Sequence, residues 1–99
     1  MQIFISESAF ADLEGIKEYY SEQGVTEIGL AFVSSILEHI DTLKEYPDIG
    51  RMVPEFDEEH IREIIHPPFR VVYLREEALV QIIRVWRSER LLVLPEGET

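Results

Sequence analysis

The segment IIRVWRSERLL, residues 82–92, brings Arg84, Arg87 and Arg90 within a few positions of Trp86, the chain's only tryptophan. Guanidinium groups grip carboxylates and phosphates through a planar fork of N–H donors, and Arg and Trp are the side chains most enriched at binding hot spots. Three roles follow for such a cluster. It can steady charge on a phosphate during catalysis, recognise an acidic partner, or form ion pairs that hold the fold. In the last role Arg84 or Arg90 pairs with Glu63 or Asp48, and Trp86 fills the core.

Cleavage of RNA through its 2′-hydroxyl requires a general base, a general acid and a cation near the phosphate. Only three imidazoles are available, His39, His60 and His66. His39 falls on or beside the apolar stripe of a helix, where a packed histidine is expected. His60 lies in the acidic stretch FDEEH, a poor place to hold a polyanion. His66 precedes Pro67-Pro68 at a sheet edge and is the one credible acid or base. His60 and His66 with Glu59 or Glu63 match no standard metal-ligand spacing, and there is no cysteine to serve as nucleophile, disulfide or thiolate ligand. No metal and no cofactor are expected.

Twenty acidic residues against nine basic ones give a formal net charge of -11, with only two lysines, Lys17 and Lys44. Nucleic-acid binders gain affinity by neutralising phosphates, so direct binding of RNA or DNA is not expected. The opening MQIFISESAF lacks the basic and long apolar regions of a signal peptide, and no run approaches the roughly 18 apolar residues of a membrane span. A cytoplasmic location follows as the expectation.

These residues need elements to position them. QIFI reads as a strand. Ser6 stands as an N-cap, followed by Ala9, Leu13, Ile16 and Tyr20 at helical spacing, and Gly24 stops the helix. Thr26 caps a second helix whose stripe is Ile28, Phe32, Ile36, Ile40 and Leu43, ended by Pro47. IREII, FRVVYL and ALVQIIRVW are three β-rich runs with short connections, which predicts antiparallel strands. The fold class is α+β. An N-terminal strand and an antiparallel two-helix hairpin pack on a small antiparallel sheet, in the order β-α-α-β-β-β. One domain spans 1–99, with 94–99 a frayed tail. Strict alternation along the last strand puts Val80, Ile82, Arg84 and Trp86 on one face, and Ile83, Val85 and Arg87 on the other.

The ordered series Pro47-x-x-Gly50-Arg51, Arg62-Glu63-Ile64, Phe69-Arg70-Val71-Val72-Tyr73 and Arg84-Val85-Trp86 with Arg90 resembles the RelE/ParE superfamily of bacterial type II toxins, from Ala9 to Arg90. The resemblance implies the same α+β fold. It also implies one of two activities: mRNA cleavage on the ribosome, as in the RelE-like branch, or inhibition of DNA gyrase with neutralisation by a cognate antitoxin, as in the ParE-like branch. Three positions depart from the family's habit: Arg87 where histidine is frequent, Ser88 where glycine is, and Phe69 where tyrosine is. The acidic charge and scarce lysines favour the ParE-like, non-catalytic branch. The candidate partner-binding residues are Trp86, Arg87 and Arg90, with Arg84, Arg70 and Arg51. Under the ribonuclease alternative the catalytic set is His66, Arg87 and Arg90. A third reading is a non-toxic binding module with the same fold.

Overall fold

The computed structural model describes residues 1–87. Its elements are β1 (Gln2–Ile5), α1 (Glu7–Glu22), α2 (Thr26–Asp41), a short 3-10 turn (Thr42–Lys44), β2 (Arg51–Met52), β3 (Ile61–His66), β4 (Phe69–Arg75) and β5 (Leu79–Arg87). The five strands form one sheet in the order β1-β5-β4-β3-β2. The expected strand, helix pair and strand meander are all present. Two features add to the expectation. The two-residue β2 joins the far edge, and β1 runs parallel to β5 while every other pairing is antiparallel.

Local chemistry explains the helix ends. The Ser6 hydroxyl accepts the Ala9 amide at 3.1 Å, capping α1 as expected. Gly24, at φ 80°, takes the left-handed conformation that turns the chain out of α1. Thr26 is not a cap. Val25 holds that position without a side-chain bond, and the Thr26 hydroxyl turns back to Ser21 at 3.3 Å. Helix α2 also stops before Pro47. The Thr42 hydroxyl donates to the His39 carbonyl at 2.6 Å, satisfying a terminal acceptor, and the 3-10 turn rolls Leu43 into the core.

The hairpin covers one face of the sheet. Ala9, Leu13 and Ile16 from α1 meet Ile36 and Ile40 from α2 over Ile64, Val71, Tyr73, Val80, Ile82 and Val85. Close helix contact occurs at Gly29, where an added Cβ would sit 3.0 Å from Tyr20 Cβ. The Tyr73 hydroxyl explains the Pro47–Gly50 segment. It donates to the Pro47 carbonyl at 2.8 Å and accepts the Gly50 amide at 3.0 Å, clamping the chain before β2. Burial, the largest influence on this phenol, pushes its pKa above the ordinary value.

Strand β5 does not alternate as expected. Tyr73 pairs with Ile82 and Val72 with Arg84, so Ile83 is the extra residue of a bulge. Val85 and Arg87 therefore fall on the helix-covered face with Val80 and Ile82, and Arg84 and Trp86 fall on the opposite face. The bulge has a cause at the sheet's edge. Strand β1 ends opposite Ile82, and beyond that point the Asp12 carboxylate of α1 takes over as acceptor for the Val85 amide at 2.8 Å.

Candidate functional site

A groove of about 660 Å³ opens between α1 and the end of β5. Helical spacing brings Asp12, Gly15, Tyr19 and Tyr20 to one wall, and Arg84, Trp86 and Arg87 with Phe69 form the other. Asp12 anchors it. Its carboxylate takes the Arg84 guanidinium in a bidentate grip, from Nε at 2.8 Å and Nη2 at 3.0 Å, as well as the Val85 amide. This pairing, led by the hydrogen bonds to Asp12, holds Arg84 above its ordinary pKa.

Arg87 lies along the same wall. Its guanidinium carbon stands 5.5 Å from the centre of the Phe69 ring, and Nη1 donates to the Tyr20 hydroxyl at 3.3 Å. Trp86 is half-buried on the other face, with the guanidinium carbons of Arg84 at 5.2 Å and Arg70 at 5.9 Å from its ring centre. Cation–π stacking of this kind presents rigid, amphipathic surface, which is what a protein contact needs.

Arg70 has a different place from the one expected. It is 2% exposed and forms a buried ion pair with Glu63, itself 1% exposed. Arg70 Nε reaches Glu63 Oε1 at 2.6 Å, and its terminal nitrogens take Glu55 at 3.1 and 3.2 Å. Arg51 approaches Glu63 from the outside through Nε at 2.6 Å. Two guanidiniums thus balance two carboxylates. Desolvation pushes the Glu55 carboxyl up, but bonds from Arg70 and its own backbone, with the charges of Arg70 and Arg51, bring it below its ordinary pKa. Arg70 holds the fold here, and only Arg51 of this group keeps an exposed side chain. The ion pairs expected for Arg84 are also reassigned. Glu63 belongs to Arg70 and Arg51, and Asp48 belongs to Arg75 at 2.8 Å. Arg90 lies outside the described residues, as does the tail at 94–99.

His66 turns to helix α2. Its Nδ1 lies 3.0 Å from His39 Nδ1, and its Nε2 lies 2.9 Å from the Ser35 hydroxyl. The Ser35 hydroxyl in turn reaches the Phe32 carbonyl at 3.2 Å, where it can only donate. One proton arrangement satisfies every bond: His39 Nδ1–H donates to His66 Nδ1, and His66 Nε2–H donates to Ser35. Desolvation, followed by repulsion from His66, lowers the His39 pKa. His66 and Arg87 are not brought together. In register they flank Phe69, which is buried on the middle strand between them. His60 is exposed beside Glu58, at 3.2 Å. Among the described residues no group of three His, Cys, Asp or Glu side chains is placed to hold a metal ion, and no helix is long and apolar enough to cross a membrane.

Asp12, Tyr19 and Tyr20 were not among the sequence candidates. With Ile16 they follow an i, i+4, i+7, i+8 spacing, a stripe that holds both core and groove residues and so marks the face of α1 that meets the last strand.

A helical hairpin on a small, mostly antiparallel sheet, with a groove of aromatics and stacked arginines, defines the architecture of a RelE/ParE-type toxin. The chain belongs to the family of ParE toxins of the type II toxin–antitoxin system parDE, whose model matches residues 3–92. It is similar to a solved chain of the chromosomal ParDE toxin–antitoxin system from P. aeruginosa. That similarity has a TM-score of 0.75 and 25% identity, and covers 88% of this chain and 95% of the other. No curated protein matches it.

Proposed function

We propose that the chain is the toxin of a cytoplasmic toxin–antitoxin pair, that it acts by inhibiting DNA gyrase without nuclease chemistry, and that a cognate antitoxin neutralises it at the groove between α1 and β5. Family membership supports the toxin role. The observation that supports the non-nuclease reading is the arrangement of His66. Both its ring nitrogens are engaged with α2, and buried Phe69 separates it from Arg87. A cleaving site needs its acid or base within hydrogen-bond reach of the scissile group. The net charge of -11 adds long-range repulsion from RNA.

The groove suits an antitoxin segment that carries carboxylates. Its Arg87 edge and its aromatic walls offer one favoured orientation, while the acidic remainder of the surface repels other approaches. The test is controlled expression in a bacterial host. A gyrase inhibitor induces the DNA-damage response with transcripts intact, and co-expression of the antitoxin abolishes it. Codon-specific cuts in ribosome-bound mRNA, lost in an Arg87→Ala or His66→Ala variant, refute the reading in favour of ribonuclease action. Strong soluble expression without harm to growth leaves a binding module in its place.

A further inference from the structure

Strand β1 forms one side of the sheet, and among the described residues no strand lies beyond it. Its pairing with β5 decides which of its backbone groups are engaged. The Ser6 amide donates to the Ile82 carbonyl at 2.9 Å. Along a strand the amide and carbonyl of one residue point to the same side, and successive residues alternate. Gln2, Phe4 and Ser6 therefore turn their peptide groups to β5, and Ile3 and Ile5 turn theirs outward. The open edge offers two amides and two carbonyls, placed symmetrically about Phe4.

The composition of this edge differs from the rest of the sheet. β1 reads QIFI and carries no charge, whereas β2 has Arg51, β3 has Arg62 and Glu63, β4 has Arg70 and Arg75, and β5 has Arg84 and Arg87. Native proteins blunt exposed edges with charge, proline or a bulge. β1 has none of these, and Phe4 is 48% exposed and Ile5 39%.

We propose that β1 is a self-association edge on which a second copy of this chain docks antiparallel, about a two-fold axis through Phe4. In that register Ile3 pairs with Ile5 of the second copy, and Ile5 with its Ile3. These two hydrogen-bonded pairs use all four outward groups of each chain. Phe4 faces its own counterpart in the closer, non-hydrogen-bonded pair, and Gln2 stands opposite Ser6. An isologous contact requires a patch complementary to itself, and a segment whose outward groups are symmetric about one residue meets that requirement. Charge decides in favour of a copy. Two bodies of net charge -11 repel, so they meet best where neither carries a charged residue, and like charges directly opposed across strands are unfavourable. Four residues bury little area, so the dimer is weak and depends on concentration.

Sedimentation velocity on the full chain over a rising concentration series tests this, with amide exchange read at both ends of the series. The expected result is a shift from monomer to dimer in which the Ile3 and Ile5 amides gain protection. The Phe4 amide, already paired to β5, keeps its own. Phe4→Lys sets two like charges across the axis and weakens association by about tenfold or more. A chain monomeric up to its solubility limit overturns the proposal. So does a dimer that leaves the Ile3 and Ile5 amides exchanging at their dilute rate, or one unaffected by Phe4→Lys in a variant shown to be folded by circular dichroism. Should that variant not fold, amide exchange on the unmodified chain decides.

Discussion

Replacing Arg70 with methionine separates structural arginine from functional arginine. Glu63 is 1% exposed and is held by Arg70 from within and Arg51 from the solvent side, while Arg70 also reaches out to Glu55. Methionine fills the stem of the arginine but leaves a buried carboxylate with a single partner, whose own side chain is 62% exposed. Breaking one member of a buried ion pair costs about 3–5 kcal/mol, because the remaining charge is desolvated without compensation. A domain of this size loses about 4–8 °C of Tm for each kcal/mol. Arg70→Met should therefore melt at least about 12 °C below the parent by circular dichroism. The double variant Arg70→Met/Glu63→Leu removes the orphaned charge and should recover most of that loss, since a buried pair and a well-packed apolar pair differ little in stability. The double-mutant cycle measures the coupling directly. A single variant melting within about 3 °C of the parent, or a double variant melting below the single, refutes the account of this network.

Arg87→Ala removes one stacking contact and one hydroxyl bond at the groove, so stability should fall by about 0.5–1.5 kcal/mol while antitoxin affinity, read by calorimetry, falls by about 1–3 kcal/mol if the groove is the docking site. Equal losses in both measurements would make Arg87 structural. Gly50→Ala places a Cβ 2.6 Å from the Tyr73 hydroxyl and 2.7 Å from the Glu63 carbonyl, so it should cost about 1–3 kcal/mol in urea unfolding. Tyr73→Phe/Gly50→Ala should not restore it, because the carbonyl clash persists. The His39 pKa lies below its model value of 6.5, so the unfolded chain binds more protons just below that pH. Stability should therefore be complete above about 6.5, fall as acid is added through the lowered value, and flatten over that window in His39→Gln. Urea midpoints from pH 8 to 5 at constant ionic strength check the sign, and a midpoint that rises on acidification contradicts it.

Much of this fold is legible in the order of residues because it rests on local chemistry. The 3.6-residue spacing of Ala9, Leu13 and Ile16, and of Ile36 and Ile40, marks helices whose faces need no distant partner to be recognised. Ser6 reads as a cap because its hydroxyl and the amide it accepts are three residues apart. The three β-branched runs announce strands, and their short connections announce antiparallel neighbours. Acidic composition and the arginine–tryptophan cluster likewise stand in plain sight, and both bear on function. The fate of each arginine does not. Arg70 and Arg87 occupy equally apolar strands, yet one is buried against Glu63 on the neighbouring strand and the other lies along a groove wall formed by α1. Alternation in β5 fails at Ile83 because the amide of Val85 is accepted by Asp12, 73 residues earlier. That partner becomes available only once α1 has packed against the end of β1. His66 is oriented by Ser35 and His39 in the same way. Periodicity reports which side chains share a face of their own element, since that depends on backbone geometry alone. Which carboxylate meets which guanidinium depends on contacts between segments far apart in the chain, and only the folded sheet and hairpin set those distances.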